Sequence, residues 1–323
     1  MTEKGKNEKI KSHQTTLRLS GPLTLANLLM EKQMKFALFS GSTPEWSPEA
    51  LTKKLAVQGW DGVEWRVVDQ KPSDVPGFWA GNLATYPLTD LESKIDAMNK
   101  VTLGAGLAHA AIAGYVALSD RSGVDNILAL TAKIGAGQVR IAPPKTGEVH
   151  SYKTLFDKTR ADAKYASERA SHYGVKALIQ IHHGNIISTA SSAIRLMEGL
   201  DPNHIGLIHD LGNMAIEGRE GLGTYTPSME ILGPYLAHIH VKNAVWTPSP
   251  PQADGTIDWS WKWAPLPTGF GDVKAYFKSL KEIGYDGWVT VENFTTEVPL
   301  EQRLSDDLKY LKDVARATGY LVK

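Results

Sequence analysis

Eight short apolar runs alternate with eight amphipathic stretches along this chain, and no other feature restricts its fold as much. The runs are Met34–Ser40, Asp61–Val68, Val101–Ala108, Gln138–Ala142, Val175–Ile181, Ile205–His209, Leu236–Asn243 and Gly287–Val291. Helical spacing falls at Ser47–Gln58, Leu91–Asn99, Gly123–Ile134, Tyr152–Tyr173, Thr189–Gly199, Ser228–Tyr235, Val273–Ile283 and Glu301–Thr318. Ser47-Pro48 opens the first helix as cap and first-turn proline, and Gly59 closes it. A strand that is apolar on both faces must be covered on both, so such runs joined by helices imply a parallel sheet with helices outside it. Eight units in about 290 residues fit a closed barrel. The expected fold class is α/β, a single (β/α)8 TIM barrel. An open doubly wound sheet is the alternative, but the glycine-rich phosphate fingerprint that would support it is missing.

Composition narrows the partners. Lys plus Arg number 35 and Asp plus Glu 35, so the formal net charge is zero. A nucleic-acid or membrane partner calls for a basic excess, and neither is expected. With no cysteine there is no disulfide framework, thiolate metal site or cysteine nucleophile. No run approaches the ~18–20 apolar residues of a membrane span. Residues 1–33 read as a poorly ordered leader and 34–323 as the barrel, in a cytoplasmic protein.

The chemistry collects at strand ends. In Leu236–Asn243 a two-residue period puts His238, His240 and Lys242 on one face and Ile239 and Val241 on the other. Polar residues on one side make sense if that side faces the barrel interior and the strand opens into a site, which in this fold lies at the C-terminal strand ends. The other ends supply Glu64, Arg140, Gln180, His182, Asp210 and Glu292, with Asn213 and Asn293 close by in sequence. Imidazole, carboxylate and amide donors can enclose one divalent cation, which would acidify a C–H beside a substrate carbonyl. Two long connections carry aromatics: Asp69–Pro87 with Phe78 and Trp79, and Ala244–Gly271 with Trp246, Trp259, Trp261 and Trp263. Plainer readings stand beside these. His238 reads as a packed core histidine, Glu64 and Arg66 as an ion pair, and the tryptophans as lid packing.

Three segments carry a resemblance: Asp61-Gly62-Val63-Glu64, His238-Ile239-His240-Val241-Lys242-Asn243, and Gly284-Tyr285-Asp286-Gly287-Trp288-Val289-Thr290-Val291-Glu292. Together they resemble the xylose isomerase-like barrel superfamily, which includes sugar isomerases and epimerases, inosose dehydratase-like enzymes and endonuclease IV-like proteins. The resemblance implies a metal-dependent isomerase or epimerase acting on a sugar or keto-sugar. The metal would be one divalent ion, Mn2+ first, with Mg2+, Co2+ or Zn2+ as alternatives. Matched by motif, Asp210, His240 and Glu292 take ligand positions. The family's strand-five glutamate is replaced: its Glu-Asn-His reads Gln180-Ile181-His182 here. An amide still offers an oxygen to a metal but brings no charge and cannot act as a base. That favours single-face isomerisation or β-elimination over a two-base epimerase. His182 or Glu292 is the expected base, and Glu64, Arg140, Lys242, Asn213 and Trp246 the expected substrate contacts.

The aromatic loops also resemble barrel subunits that cleave 3-keto glycosides, making a lyase the second reading, alone or within a complex. The expected partner is a small carbohydrate, with a homo-oligomer or hetero-complex as the assembly. A nuclease of the endonuclease IV type would need more strand-end histidines and a basic face. A non-catalytic, partner-dependent barrel is the remaining alternative.

Overall fold

The computed structural model describes residues 33–147, 151–217 and 224–322. The expected leader, except its last residue, lies outside the described residues. Strands β1 (Lys35–Phe39), β2 (Gly62–Val67), β3 (Thr85–Tyr86), β4 (Ala108–Ala117), β5 (Gln138–Ala142), β6 (Lys176–Gln180), β7 (Ile205–Asp210), β8 (Leu236–Val241), β9 (Asn243–Pro248), β10 (Trp259–Ala264) and β11 (Trp288–Val291) follow in chain order. Eight of them form the barrel, in the order β1, β11, β8, β7, β6, β5, β4, β2, and β2 pairs with β1 to close it. Every barrel pairing is parallel. The two-residue β3 runs beside β2, while β9 and β10 form a separate antiparallel hairpin.

The helices are α1 (Pro48–Gln58), α2 (Leu91–Gly104), α3 (Arg121–Ile134), α4 (Tyr152–Tyr173), α5 (Ala190–Met197), α6 (Leu211–Glu217), α7 (Tyr225–Leu232), α8 (Val273–Glu282) and α9 (Leu300–Ala317). Their caps follow the sequence. The Ser47 side chain accepts from the Ala50 amide, and Gly59 ends α1 in the left-handed conformation at φ 84°.

The apolar core lies between sheet and helices. Val63, Trp65 and Val67 of β2, Ile239 and Val241 of β8, and Val289 and Val291 of β11 all belong to it. The alternate residues of the same strands are Glu64, Arg66, His238, His240 and Thr290, all fully buried. The period of two therefore sorts apolar side chains to the outside of the barrel and polar ones to its interior. Gly62 permits one close approach: a Cβ there would lie 2.6 Å from the Ala108 carbonyl oxygen of β4.

Two expectations need correction. Val101–Ala108 is not the third barrel strand. Met98 and Thr102 continue the buried face of α2, with Thr102 donating to the Met98 carbonyl and accepting from the Trp65 indole. The helix runs to Gly104, and the strand is Ala108–Ala117, whose five alanines give little β signal. Ala244–Gly271 is not all loop, because it contains most of the β9–β10 hairpin. The stretch after Asp210 is helix α6, with Leu211–Ile216 buried.

Candidate active site

Register sets the floor of the site. Asp210 at the end of β7 pairs with His240 of β8, and His240 pairs with Thr290 of β11, one turn of the pleat before Glu292. Asp210, His240 and Glu292 each place one ligand atom within 4.8 Å of the others, and all three are buried. Glu64, His238 and His240 form a second such group. Its members come from β2 and β8, and it shares His240 with the first group.

Glu64 organises His240. Its Oε2 lies 2.8 Å from His240 Nε2 and 3.4 Å from His238 Nε2. A carboxylate accepts only, so Nε2 of His240 carries a proton and Nδ1 is turned toward Asp210 and Glu292. Burial works against the Glu64 charge, but His240 and His238 outweigh it and hold the carboxyl well below its ordinary range. Burial also opposes charge on His240, yet Glu64 and Glu292 raise it to about 9. Two groups compete for Nδ1: the Gln180 amide nitrogen at 3.0 Å and Glu292 Oε1 at 3.3 Å. His238 has structural partners, Gln138 Nε2 at 2.7 Å and Thr290 Oγ1 at 2.7 Å.

The donor types and their convergence fit a divalent cation. Two neighbours distinguish this cluster. Gln180 accepts from Arg140 Nη1 at 2.9 Å and donates its amide nitrogen to Asp210 Oδ2 at 2.6 Å. Lys242 donates its ammonium to Asp210 Oδ2 and, at 2.5 Å, to Glu292 Oε2. Glu292 also accepts from Arg140 at 3.3 Å. Burial would raise the Glu292 pKa, but Lys242, His240 and Arg140 drive it well below the carboxylate range. Burial opposes the Lys242 charge, and Asp210 and Glu292 more than restore it.

Above this floor opens a cavity of about 520 Å3. Arg140, Gln180, His182, Lys242 and Glu292 reach it from below, and Phe78, Trp79, Tyr115, Trp261, Trp263 and Phe294 form aromatic walls. His182 bonds the His183 carbonyl oxygen through Nδ1 at 2.7 Å, so Nδ1 bears the proton and Nε2 is a bare lone pair. Among the described residues nothing hydrogen-bonds that Nε2. Burial, with help from Lys242, lowers the His182 pKa to about 4, which keeps the ring neutral.

Asp210, His240 and Glu292 thus converge, and Gln180, Lys242 and Arg140 surround them. Three expected substrate contacts sit elsewhere. Glu64 is fully buried behind His240 and is absent from the cavity wall. Asn213 is buried on α6, donating its backbone and side-chain N–H groups to Asp210, and its Oδ1 lies 3.1 Å from His183 Nδ1. Trp246 turns its indole N–H to the Ala215 carbonyl and does not line the cavity. Tyr115 is a wall residue missed by sequence reasoning, because it lies on the strand that reasoning misplaced. Its ring is 5.0 Å from the Arg140 guanidinium carbon. No described helix is long and apolar enough to cross a membrane.

Comparison with known proteins agrees with this architecture. An inosose dehydratase from Lacticaseibacillus casei is 24% identical over 164 residues, covering 44% of this chain and 54% of that protein. The chain thus spans about half the length of the curated relatives it matches. The crystal structure of an Escherichia coli 3-keto-D-glucoside 4-epimerase superposes with a TM-score of 0.65 at 16% identity, over 87% of this chain and 100% of that one. An IolI protein with a bound zinc atom gives 0.68 at 18% identity, over 89% and 100%. The family model described as xylose isomerase-like TIM barrel matches residues 53–314. The chain belongs to the xylose isomerase-like TIM barrel family.

Proposed function

We propose that this chain is a carbohydrate-modifying enzyme that removes a proton beside a carbonyl with a single base and completes a β-elimination. The carrying observation is the separation of a free base from tied carboxylates. Glu292 faces Lys242, Arg140 and His240 at once, Asp210 is buried beneath Gln180 and Lys242, and position 180 is an amide. A base for the opposite substrate face is therefore missing from the expected place. His182 offers a neutral ring with a bare nitrogen at the cavity wall.

In this reading Asp210, His240 and Glu292 would hold one divalent ion, and Gln180 could turn its amide oxygen toward it. Such an ion would polarise the substrate carbonyl. Arg140 and Lys242 offer N–H donors to the oxygen as negative charge develops on it. His182 Nε2 takes the proton from the carbon beside the carbonyl. The released pair forms a carbon–carbon double bond as the β-oxygen departs with its bonding electrons. That oxygen takes the proton back from His182, so the base is regenerated.

The aromatic walls suit the apolar faces of a sugar or keto-polyol ring. Similarity to inosose dehydratases supports elimination, since a dehydratase by name removes water. A one-base isomerisation is the second reading, favoured by the same free His182 returning its proton to a neighbouring carbon. The test is proton exchange in deuterated water with keto-polyols and 3-keto glycosides, with product analysis. Exchange and loss of the β-substituent are expected, slowed roughly 100-fold or more in His182→Gln. Exchange without loss of that group selects isomerisation. No exchange with any of them, in protein loaded with Mn2+, refutes the reading.

A further inference from the structure

We propose that Lys242 is a competitor built into the metal site: its ammonium bridges the carboxylates that a divalent ion would bridge, and metal binding must expel it into the cavity. The proposal rests on reading Asp210, His240 and Glu292 as metal ligands. The ammonium bonds Asp210 Oδ2 and Glu292 Oε2, two carboxylates of the convergent donor group. The side chain is almost fully buried there, with 4% of its surface exposed.

Charge gives the reason for competition. Asp210 and Glu292 bring two negative charges to the floor and Lys242 and Arg140 two positive ones, while His240 is matched by Glu64 behind it. The cluster is balanced as built, and Gln180 adds an uncharged amide where a third carboxylate would upset that balance. A dication placed among the same donors would face an ammonium at contact distance, where repulsion is strong in a buried setting. The metal and the lysine head therefore exclude each other.

Packing shows that the chain makes room for the lysine. A Cβ on Gly212 would fall 2.4 Å from Lys242 Cγ and 2.9 Å from its carbonyl oxygen, so the absent side chain at 212 is what lets the stem lie along α6. A route out also exists. Lys242 already lines the cavity, and its Nζ is 5.4 Å from the centre of the Trp263 ring, a face that receives an ammonium favourably. Once expelled, the same charge stands where substrate oxygens bind, so metal loading would also arm the cavity with a cation.

The experiment is calorimetric titration of the full chain with Mn2+ alone, without substrate. Lys242→Met should bind Mn2+ at least about tenfold more tightly than wild type, because an opposing charge has been removed. Adding Asp210→Asn should abolish the gain, and Lys242→Arg, which keeps the charge, should not show it. Circular dichroism checks folding, and Lys242→Gln replaces the methionine variant if two uncompensated carboxylates prevent it from folding. Equal or weaker binding by the folded neutral variants, with wild type binding Mn2+, overturns the proposal and leaves the ligand reading standing. Absence of binding by wild type and every variant overturns both.

Discussion

Gln180→Glu puts the site's electrostatics to a quantitative test. In the native arrangement the amide nitrogen of Gln180 donates to Asp210 Oδ2 at 2.6 Å, and its oxygen accepts from Arg140 at 2.9 Å. Replacing that nitrogen with a carboxylate oxygen turns the first contact into a repulsion. At an effective dielectric near 20, unit charges at that spacing repel by about 6 kcal/mol, and the gained attraction to Arg140 is of similar size. The Coulomb contributions from Asp210 and Arg140 nearly cancel, and burying a third carboxylate, even with His240 Nδ1 at 3.0 Å as a new neighbour, leaves a cost on the order of 3 kcal/mol. For a chain of this length that corresponds to a melting temperature lower by roughly 6 °C. The measurement is thermal denaturation of wild type and variant, each with chelator and with Mn2+. In chelator the variant should melt lower. Mn2+ at a hundredfold excess over its dissociation constant should return about 2.7 kcal/mol, a larger gain than in wild type, where Gln180 brings no charge to the metal. A variant that melts with wild type in chelator and responds identically to Mn2+ would refute the placement of position 180 against Asp210 and His240.

Further outcomes follow from other parts of the molecule. Asn243 donates to the Leu266 and Gly271 carbonyls and accepts from the Ala244 and Gly271 amides, so Asn243→Ala should cost at least about 3 kcal/mol in urea denaturation. Gly62→Ala pushes a methyl against the Ala108 carbonyl at 2.6 Å and the Trp288 ring at 2.8 Å, and should cost about 2 kcal/mol in the same assay. Burial lowers the His109 pKa from 6.5 to about 4, and its Nδ1 has no hydrogen-bond partner. The unfolded chain therefore takes up this proton first. Stability from this residue is intact above pH 6.5 and falls as pH drops toward 4, by about 3 kcal/mol in full. Stability measured across that range should decline more steeply in wild type than in His109→Gln, and parallel curves would contradict the assignment.

The barrel was legible in the sequence because its strands bury both faces, so each announces itself as a short apolar run without any need to know its neighbours. The misplaced third strand shows where that signal ends. Ala108–Ala117 is built of small residues that fill the barrel beside Glu64 and Arg66, and alanine carries helix preference as readily as strand. Val101 and Leu103 offered the stronger apolar pattern although they belong to a helix, with Leu103 half exposed. Missing that strand also hid Tyr115. The convergence of Asp210, His240 and Glu292 was accessible because strand ends in this fold share one rim. What remained hidden was the depth of each side chain along the barrel axis. Glu64 and Asp210 are both acidic residues on barrel strands, yet one lies behind His240 and the other beside it, and only the register between strands separates the two.

That difference in depth explains how one interior serves both packing and chemistry. The deep layer, Glu64 with His238 and Thr290, is closed to the cavity and fixes the orientation of His240. The upper layer, Gln180, Lys242, Arg140 and Glu292, borders the cavity and shares its hydrogen bonds among exchangeable partners. A buried ion network with every charge matched resists change at any single member, because each deletion strands a partner. Position 242 is the exception by construction. Its cation sits on a flexible four-carbon stem with an aromatic face within reach, so it can leave its carboxylates if a stronger cation replaces it. On the proposed reading, the deep layer would hold the ligand geometry rigid while the upper layer exchanged one positive charge for another, and this division would let a neutral amide stand at position 180 without collapse of the site.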